Sequence, residues 1–149
     1  MRRKKVVVAS GVFDIVHVGH IKYLKKAKQI AGRNGILLVV LARDKLVEKT
    51  KGKKPIINEK ERKEIIESLK FVDKVILGPS KTNVAEGIKE VIRKYKPSAI
   101  VLGYDQEWLR EITQKIVSNE PTWKNIKIIK LRKYGSRNSK SSIIKKFYL

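Results

Sequence analysis

The chain has 149 residues, enough for one domain with a buried core, and 42% of them are hydrophobic. It has no cysteine, which excludes disulfides, thiolate catalysis and cysteine–zinc sites. A formal net charge of +22, from 36 Lys and Arg against 14 Asp and Glu, favours anionic ligands: nucleic acid, acidic membrane surfaces or phosphorylated small molecules.

Lysines occur in every segment, so much of this charge reads as solvated surface. A nucleic-acid binder would concentrate its charge in a stripe with exposed aromatics, and no familiar recognition motif is present. One Met, few Gln and abundant Lys, Glu and Ile lean towards a thermophile. The apolar run after MRRKK is too short for a signal peptide, and no run is long enough to span a bilayer. A cytoplasmic protein with no membrane partner is expected.

Strand and helix patterns alternate along the chain. KVVVAS (5–10) is a short β-branched run, read as a buried strand. Residues 18–31 place Ile21, Leu24, Ala27, Lys28 and Ala31 near helical spacing. GILLVVLA (35–42) is a second strand, of the continuous apolar kind found in the middle of parallel sheets. KTKGKKP (49–55) is read as a mobile loop.

NEKERKEIIESLK (58–70) opens with Asn58 and has Glu61 three residues on, a capping-box pattern. Its Ile65, Ile66 and Leu69 are expected to form one apolar stripe. Strands follow at 72–78, 98–103 and 125–131, with helices at 84–95, stopped before Pro97, and at about 106–118. Residues 139–149 read as a capped C-terminal helix.

Five strands alternating with helices predict an α/β fold: a single doubly wound, Rossmann-like domain over 1–149 with a five-stranded parallel sheet. Ligands of such sheets bind beyond the carboxyl ends of the strands, at a topological switch point. The stretches that follow strands are therefore the ones to search.

GVFDIVHVGH (11–20) follows the first strand and holds both histidines of the chain. Gly11 permits close backbone approach to a ligand. With a helix starting near Val18, His17 and His20 flank its N-terminus, where free N–H groups and the helix dipole favour phosphate. Two imidazoles aimed at one phosphate can donate hydrogen bonds to charge that develops in a transition state. Zinc held by the two histidines and Asp14 is a poor match, since there is no Cys and no paired Glu.

GxFDxxHxGH is similar to the signature of the HxGH nucleotidyltransferases, matched at Gly11, Phe13, Asp14, His17, Gly19 and His20. These enzymes transfer a nucleotidyl group from ATP or CTP to a phosphate acceptor and release pyrophosphate. The resemblance implies that His17 and His20 contact the triphosphate and stabilise the transition state. It also implies nucleotide contacts from Gly11, Val12, Phe13, Asp14 and Gly19.

The cytidylyltransferase-like branch carries a lysine loop followed by a helix arginine, here Lys51, Lys53 and Lys54, then Arg62. The resemblance gives Lys53 and Arg62 catalytic roles. A lysine loop can close over phosphate, and an arginine fork can bind it bidentately. VLGYDQEW (101–108) corresponds to the Gly turn after the fourth strand, so Gly103, Asp105 and Gln106 are implied in nucleotide binding. Asp105 read without the resemblance is a helix cap.

The last helix of these enzymes opens with Ser or Thr, here Ser141 and Ser142 with Arg137 nearby. The cytidylyltransferase run RTEGIST is absent. The G-Y-D-Q turn with ARD…KGKKPI…R…VDKVILG most resembles the archaeal FAD synthases, which adenylylate FMN.

The implied chemistry is ATP plus FMN giving FAD plus pyrophosphate, with Mg²⁺ carried by ATP, no permanently bound cofactor and no metal ligands from the chain. Tyr104, Trp108 and Trp123 are candidates for a shelf under the isoalloxazine. A homodimer with no obligate nucleic acid is expected. The alternatives are a cytidylyltransferase acting on glycerol 3-phosphate or another phosphorylated alcohol, a sugar-phosphate adenylyltransferase and, outside enzymes, a basic nucleic-acid-binding protein.

Overall fold

Five apolar segments pair in the order β3-β2-β1-β4-β5, all parallel. They are β1 (Val6–Gly11), β2 (Ile36–Leu41), β3 (Lys74–Leu77), β4 (Ala99–Leu102) and β5 (Lys127–Lys130). A computed structural model describes residues 3–79 and 83–133 of the chain. The helices between the strands are α1 (Val18–Ala31), α2 (Asp44–Lys51), α3 (Glu59–Glu67), α4 (Val84–Tyr95) and α5 (Glu107–Ser118).

The three central strands β1, β2 and β4 are largely buried on both faces, which is why they read as unbroken apolar runs, whereas the edge strand β5 is exposed at Lys127 and Lys130. Alternate residues serve opposite cores. Val7, Ala9, Leu37, Val39 and Leu41 pack with Leu24 and Ala27 of α1 and Ile66 of α3. Val8, Leu38, Ile100 and Leu102 pack with Val91 and Ile92 of α4 and Ile116 and Val117 of α5. The helices change face between β3 and β4. That jump puts β1 beside β4, with Val7 opposite Ala99, and creates the switch point at their carboxyl ends.

Three local expectations are revised. The helix expected at 58–70 is shorter, and Ile65 is exposed while Ile66 is fully buried, so the stripe lacks Ile65. Asn58 accepts from the Glu61 N–H, but the return bond of a capping box is not among the bonds of this cap. Part of the segment read as a loop at 49–55 belongs to α2, which ends at Gly52 with φ +77, a conformation that glycine adopts without strain. A 3₁₀ turn at Pro121–Trp123 was not expected. The helix expected at 139–149 lies outside the described residues.

No helix of the described residues is long and apolar enough to cross a membrane. Lys96 ends α4 in the left-handed region, at φ 46 and ψ 60. A side chain there carries steric strain, so Lys96→Gly is expected to raise unfolding stability by roughly 0.5–1 kcal/mol in urea titrations.

Candidate active site

The histidine turn sits at the carboxyl end of β1, at the switch point. His17 is the N-cap of α1, and its Nδ1 accepts from the Gly19 N–H at 3.0 Å. His20 Nδ1 accepts in turn from the His17 N–H at 3.3 Å. A backbone N–H can only donate, so each Nδ1 is unprotonated and each neutral ring carries its proton on Nε2. The two rings stack with centroids 3.9 Å apart. Both line a cleft of about 1000 Å³ above the strand ends.

Partial burial favours the neutral form of both rings. It lowers the His17 pKa, with Asp105 pulling the other way. It lowers that of His20 to about 4, with a further push from His17. The turn is also strained. Phe13 is buried at φ 53, a left-handed conformation that is rare for a bulky residue. Its ring packs edge-on to His20, and a Cβ on Gly11 would meet that ring at 2.8 Å. The glycine is required here by Phe13 packing, a reason the sequence does not show.

Two side chains lock β1 to β4 beneath the turn. The Tyr23 hydroxyl accepts from the Ser10 N–H at 3.1 Å and donates to the Val101 carbonyl at 2.7 Å. Burial pushes its phenol well above the ordinary tyrosine value. The Gln106 amide donates to the Ser10 carbonyl at 3.2 Å and accepts from the Gly103 N–H at 2.8 Å. Gln106, implied as a nucleotide contact, thus uses its amide to join the strand ends. Gly103 lines the cleft and presents its N–H to Gln106 rather than to the opening.

Arg62 takes a different place from the phosphate-binding one expected. It is fully buried. Its guanidinium donates to the Ile57 carbonyl at 2.9 Å and the Val12 carbonyl at 2.7 Å, and pairs with Asp44 at 2.6 Å. Asp14 is also buried, and its carboxylate accepts from the Ile56 and Ile57 N–H groups at 3.0 and 2.9 Å. Both residues hold the 55–58 segment against the histidine turn. Apart from Ile57, five residues before Arg62, their partners are distant in sequence, so local motif reading assigns both side chains to ligand.

Lys51, Lys53 and Lys54 are exposed and line the cleft from the β2 side. Asp105, Tyr104 and Trp108 line it from the β4 side, with Trp108 about half exposed. Asp105 caps no helix, because α5 has Gln106 at its N-cap and no side-chain cap bond. Trp123 packs instead against the α4–α5 core, under the Arg93 guanidinium. It lies away from the described cleft lining, and so does not serve as a shelf there.

Arg43, Arg132 and Lys133 also line the cleft and were not singled out in the sequence. Their signal was position: each follows directly on the end of β2 or β5. Ser141, Ser142 and Arg137 lie outside the described residues. Among the described residues, no cluster of three or more His, Cys, Asp or Glu side chains is placed to hold a metal ion.

A family profile described as cytidylyltransferase-like matches residues 8–147. The chain belongs to the cytidylyltransferase-like family. Among similar proteins of this family's chemistry, one named FAD synthase from Korarchaeum cryptofilum is 42% identical, covering 94% of this chain and 89% of its own. Another so named, from Thermoplasma volcanium, is 43% identical over 94% of this chain and 92% of its own.

A crystal structure titled as a lipopolysaccharide core biosynthesis protein from Thermoplasma volcanium superposes with a TM-score of 0.68 at 36% identity, covering 88% of this chain and 98% of that one. Pantothenate synthetase from Thermus thermophilus shares the fold, with a TM-score of 0.68 at 12% identity, covering 99% of this chain and 62% of that one.

Two outcomes are expected of the site itself. In ¹⁵N NMR, His20 should titrate near pH 4 rather than near the 6.5 of an unperturbed imidazole. The unfolded chain then takes up this proton first as pH falls. The His20 contribution to stability is complete above pH 6.5 and is lost as pH drops from 6.5 through about 4. Tyr23→Phe leaves the part-buried Ser10 N–H without this acceptor and the buried Val101 carbonyl without this donor, and is expected to cost about 1–3 kcal/mol in denaturant unfolding.

Proposed function

We propose that this chain is an FAD synthase, transferring the AMP of ATP to the phosphate of FMN and releasing pyrophosphate. The observation that carries the reading is the stacked histidine pair. Both Nδ1 atoms are engaged by backbone N–H groups, so each ring has an Nε2 proton left for a ligand in the cleft. Two such donors suit the oxygens of a triphosphate. The choice of FMN as acceptor is supported by relatives named FAD synthase at 41–43% identity over most of the chain.

In this reading an FMN phosphate oxygen attacks the α-phosphorus of ATP in line. The bond from the α-phosphorus to the bridging oxygen breaks, and pyrophosphate carries away the electron pair. His17 and His20 donate to phosphoryl oxygens, where negative charge grows. Even in the neutral form each ring keeps the Nε2 proton that it donates. Lys53, with Lys51 and Lys54, meets phosphate from the loop, and the net charge of +22 draws both anions to the cleft.

Ser141 and Ser142 are proposed to meet the β- and γ-phosphates. Gly11, Val12, Phe13, Asp14, Gly19, Gly103 and Gln106 shape the nucleotide site through backbone and packing.

Mg²⁺ arrives with the triphosphate. When bound, it neutralises phosphate charge and the leaving pyrophosphate. The site fits an ion held mainly by phosphate oxygens, since Asp105 is an exposed carboxylate on the cleft while Asp14 is engaged by Ile56 and Ile57. The reading includes a cytoplasmic homodimer with no permanently bound cofactor; sedimentation velocity tests the dimer.

Pyrophosphate release is the test, with ATP or CTP, each paired with FMN or glycerol 3-phosphate, in Mg²⁺. FAD formation from ATP and FMN alone is the expected result. Release with CTP and glycerol 3-phosphate would replace FAD synthesis by a cytidylyltransferase activity. His17→Ala and His20→Ala should each lower kcat by about 10²–10³-fold with the fold retained. Unchanged turnover in both would remove the pair from the reaction.

A further inference from the structure

Between β2 and β3 the chain makes an excursion that carries Lys51, Lys53 and Lys54. Four side chains tie its base together. Asp44 opens α2 and Glu59 opens α3, and each caps the other's helix. Asp44 Oδ2 accepts from the Glu59 N–H at 3.2 Å, and Glu59 Oε1 accepts from the Asp44 N–H at 3.0 Å. The second oxygen of each carboxylate takes a guanidinium: Arg62 lies 2.6 Å from Asp44 Oδ1, and Arg43 lies 3.5 Å from Glu59 Oε2.

Arg43 Nε also donates to the Gly78 carbonyl at 2.6 Å, just past β3. Arg62 reaches the Val12 carbonyl, just past β1. Two cations and two carboxylates thus balance, every carboxylate oxygen has a donor, and the tips of three adjacent strands are joined.

The geometry has a specific effect on the lysines. The excursion leaves and returns at one point, the Asp44–Glu59 clip. Its returning limb is pinned a second time, where Ile56 and Ile57 donate to Asp14 in the histidine turn. The three lysines therefore ride on a closed loop whose ends are fixed relative to His17 and His20.

We infer that Glu59 and Asp44 are positioning residues for the nucleotidyl transfer. Neither touches substrate; they hold the lysine loop where one phosphate chain can meet both the lysines and the histidines. This inference rests on the proposed role of the lysines. A displacement of even an ångström at a phosphate contact lowers turnover strongly.

A double-mutant cycle separates positioning from simple helix capping. Glu59→Ala should lower kcat/KM for FAD formation by about tenfold in the native background. With Lys51, Lys53 and Lys54 all changed to Ala, the same substitution should cost less than about twofold, because there is nothing left to position. Glu59→Gln keeps the Oε1 acceptor for Asp44 and should recover most of the activity. A full tenfold loss in both backgrounds, or no recovery with Gln, overturns the inference.

Should Glu59→Ala fail to fold, Arg43→Ala leaves both helix caps in place and runs the same cycle with a smaller loss. Should the native protein make no FAD, the proposed function fails on its own. The clip is then decided by trypsin cleavage after Lys51 and Lys53, at a temperature where both proteins are folded; Lys54 precedes Pro55 and is not a tryptic site. Faster cleavage in Glu59→Ala supports the clip, and equal rates overturn it.

Discussion

The site depends on one buried cation. Arg62 has no exposed surface, and a guanidinium in that position is tolerable only with a matched set of acceptors. It finds them on three separate segments: the turn after β1, the start of α2, and the bend before α3. A planar fork of donors suits this task, where the single ammonium of a lysine would not. Because each acceptor comes from a different part of the chain, satisfying the charge fixes all three segments relative to one another. The histidine turn and the lysine excursion inherit their spacing from that requirement.

Above this base the histidines are prepared by backbone bonds rather than by acidic partners. Each Nδ1 receives an amide proton, and the low accessibility of the pair keeps positive charge off the rings. Beneath them, Tyr23 and Gln106 both bond to Ser10 and so join β1 to its neighbour β4. The left-handed Phe13 is part of the same arrangement, its ring wedged between Gly11 and His20. Strain at that residue is offset by the packing on both of its faces.

Much of this was legible in the residues themselves. The central strands announce themselves because both faces are buried, and the motif turn follows directly from the first of them. The histidine pair draws notice by its place after β1 and by the GxFDxxHxGH resemblance. What was hidden has a common cause. α2 escaped notice because its eight residues bury Val47 and little else, so it has no apolar stripe to detect.

Arg62 and Asp14 are read from the sequence as ligand contacts, while Val12 and Asp44, which Arg62 meets, and Ile56 and Ile57, which Asp14 meets, are brought to them only by the fold. Gln106 was placed correctly beside the cleft, yet its amide faces Ser10 and Gly103. Residue type and position identify a site more readily than they tell which of its members face the ligand and which face the protein.

The strand order also bears on how the chain comes to be assembled. β1 is made first and lies in the middle of the sheet, between β2 and β4. Val7 and Val8 can pair with Leu37 and Leu38 early, but must wait for Ala99 and Ile100 to emerge from the ribosome. Until then one edge of β1 stands open. The histidine turn, bonded to β4 through Tyr23 and Gln106, is likewise unfinished. Late closure of non-local parallel pairs is intrinsically slow and leaves such edges open to other chains. A surface crowded with lysines keeps nascent copies apart by mutual repulsion while that edge is exposed.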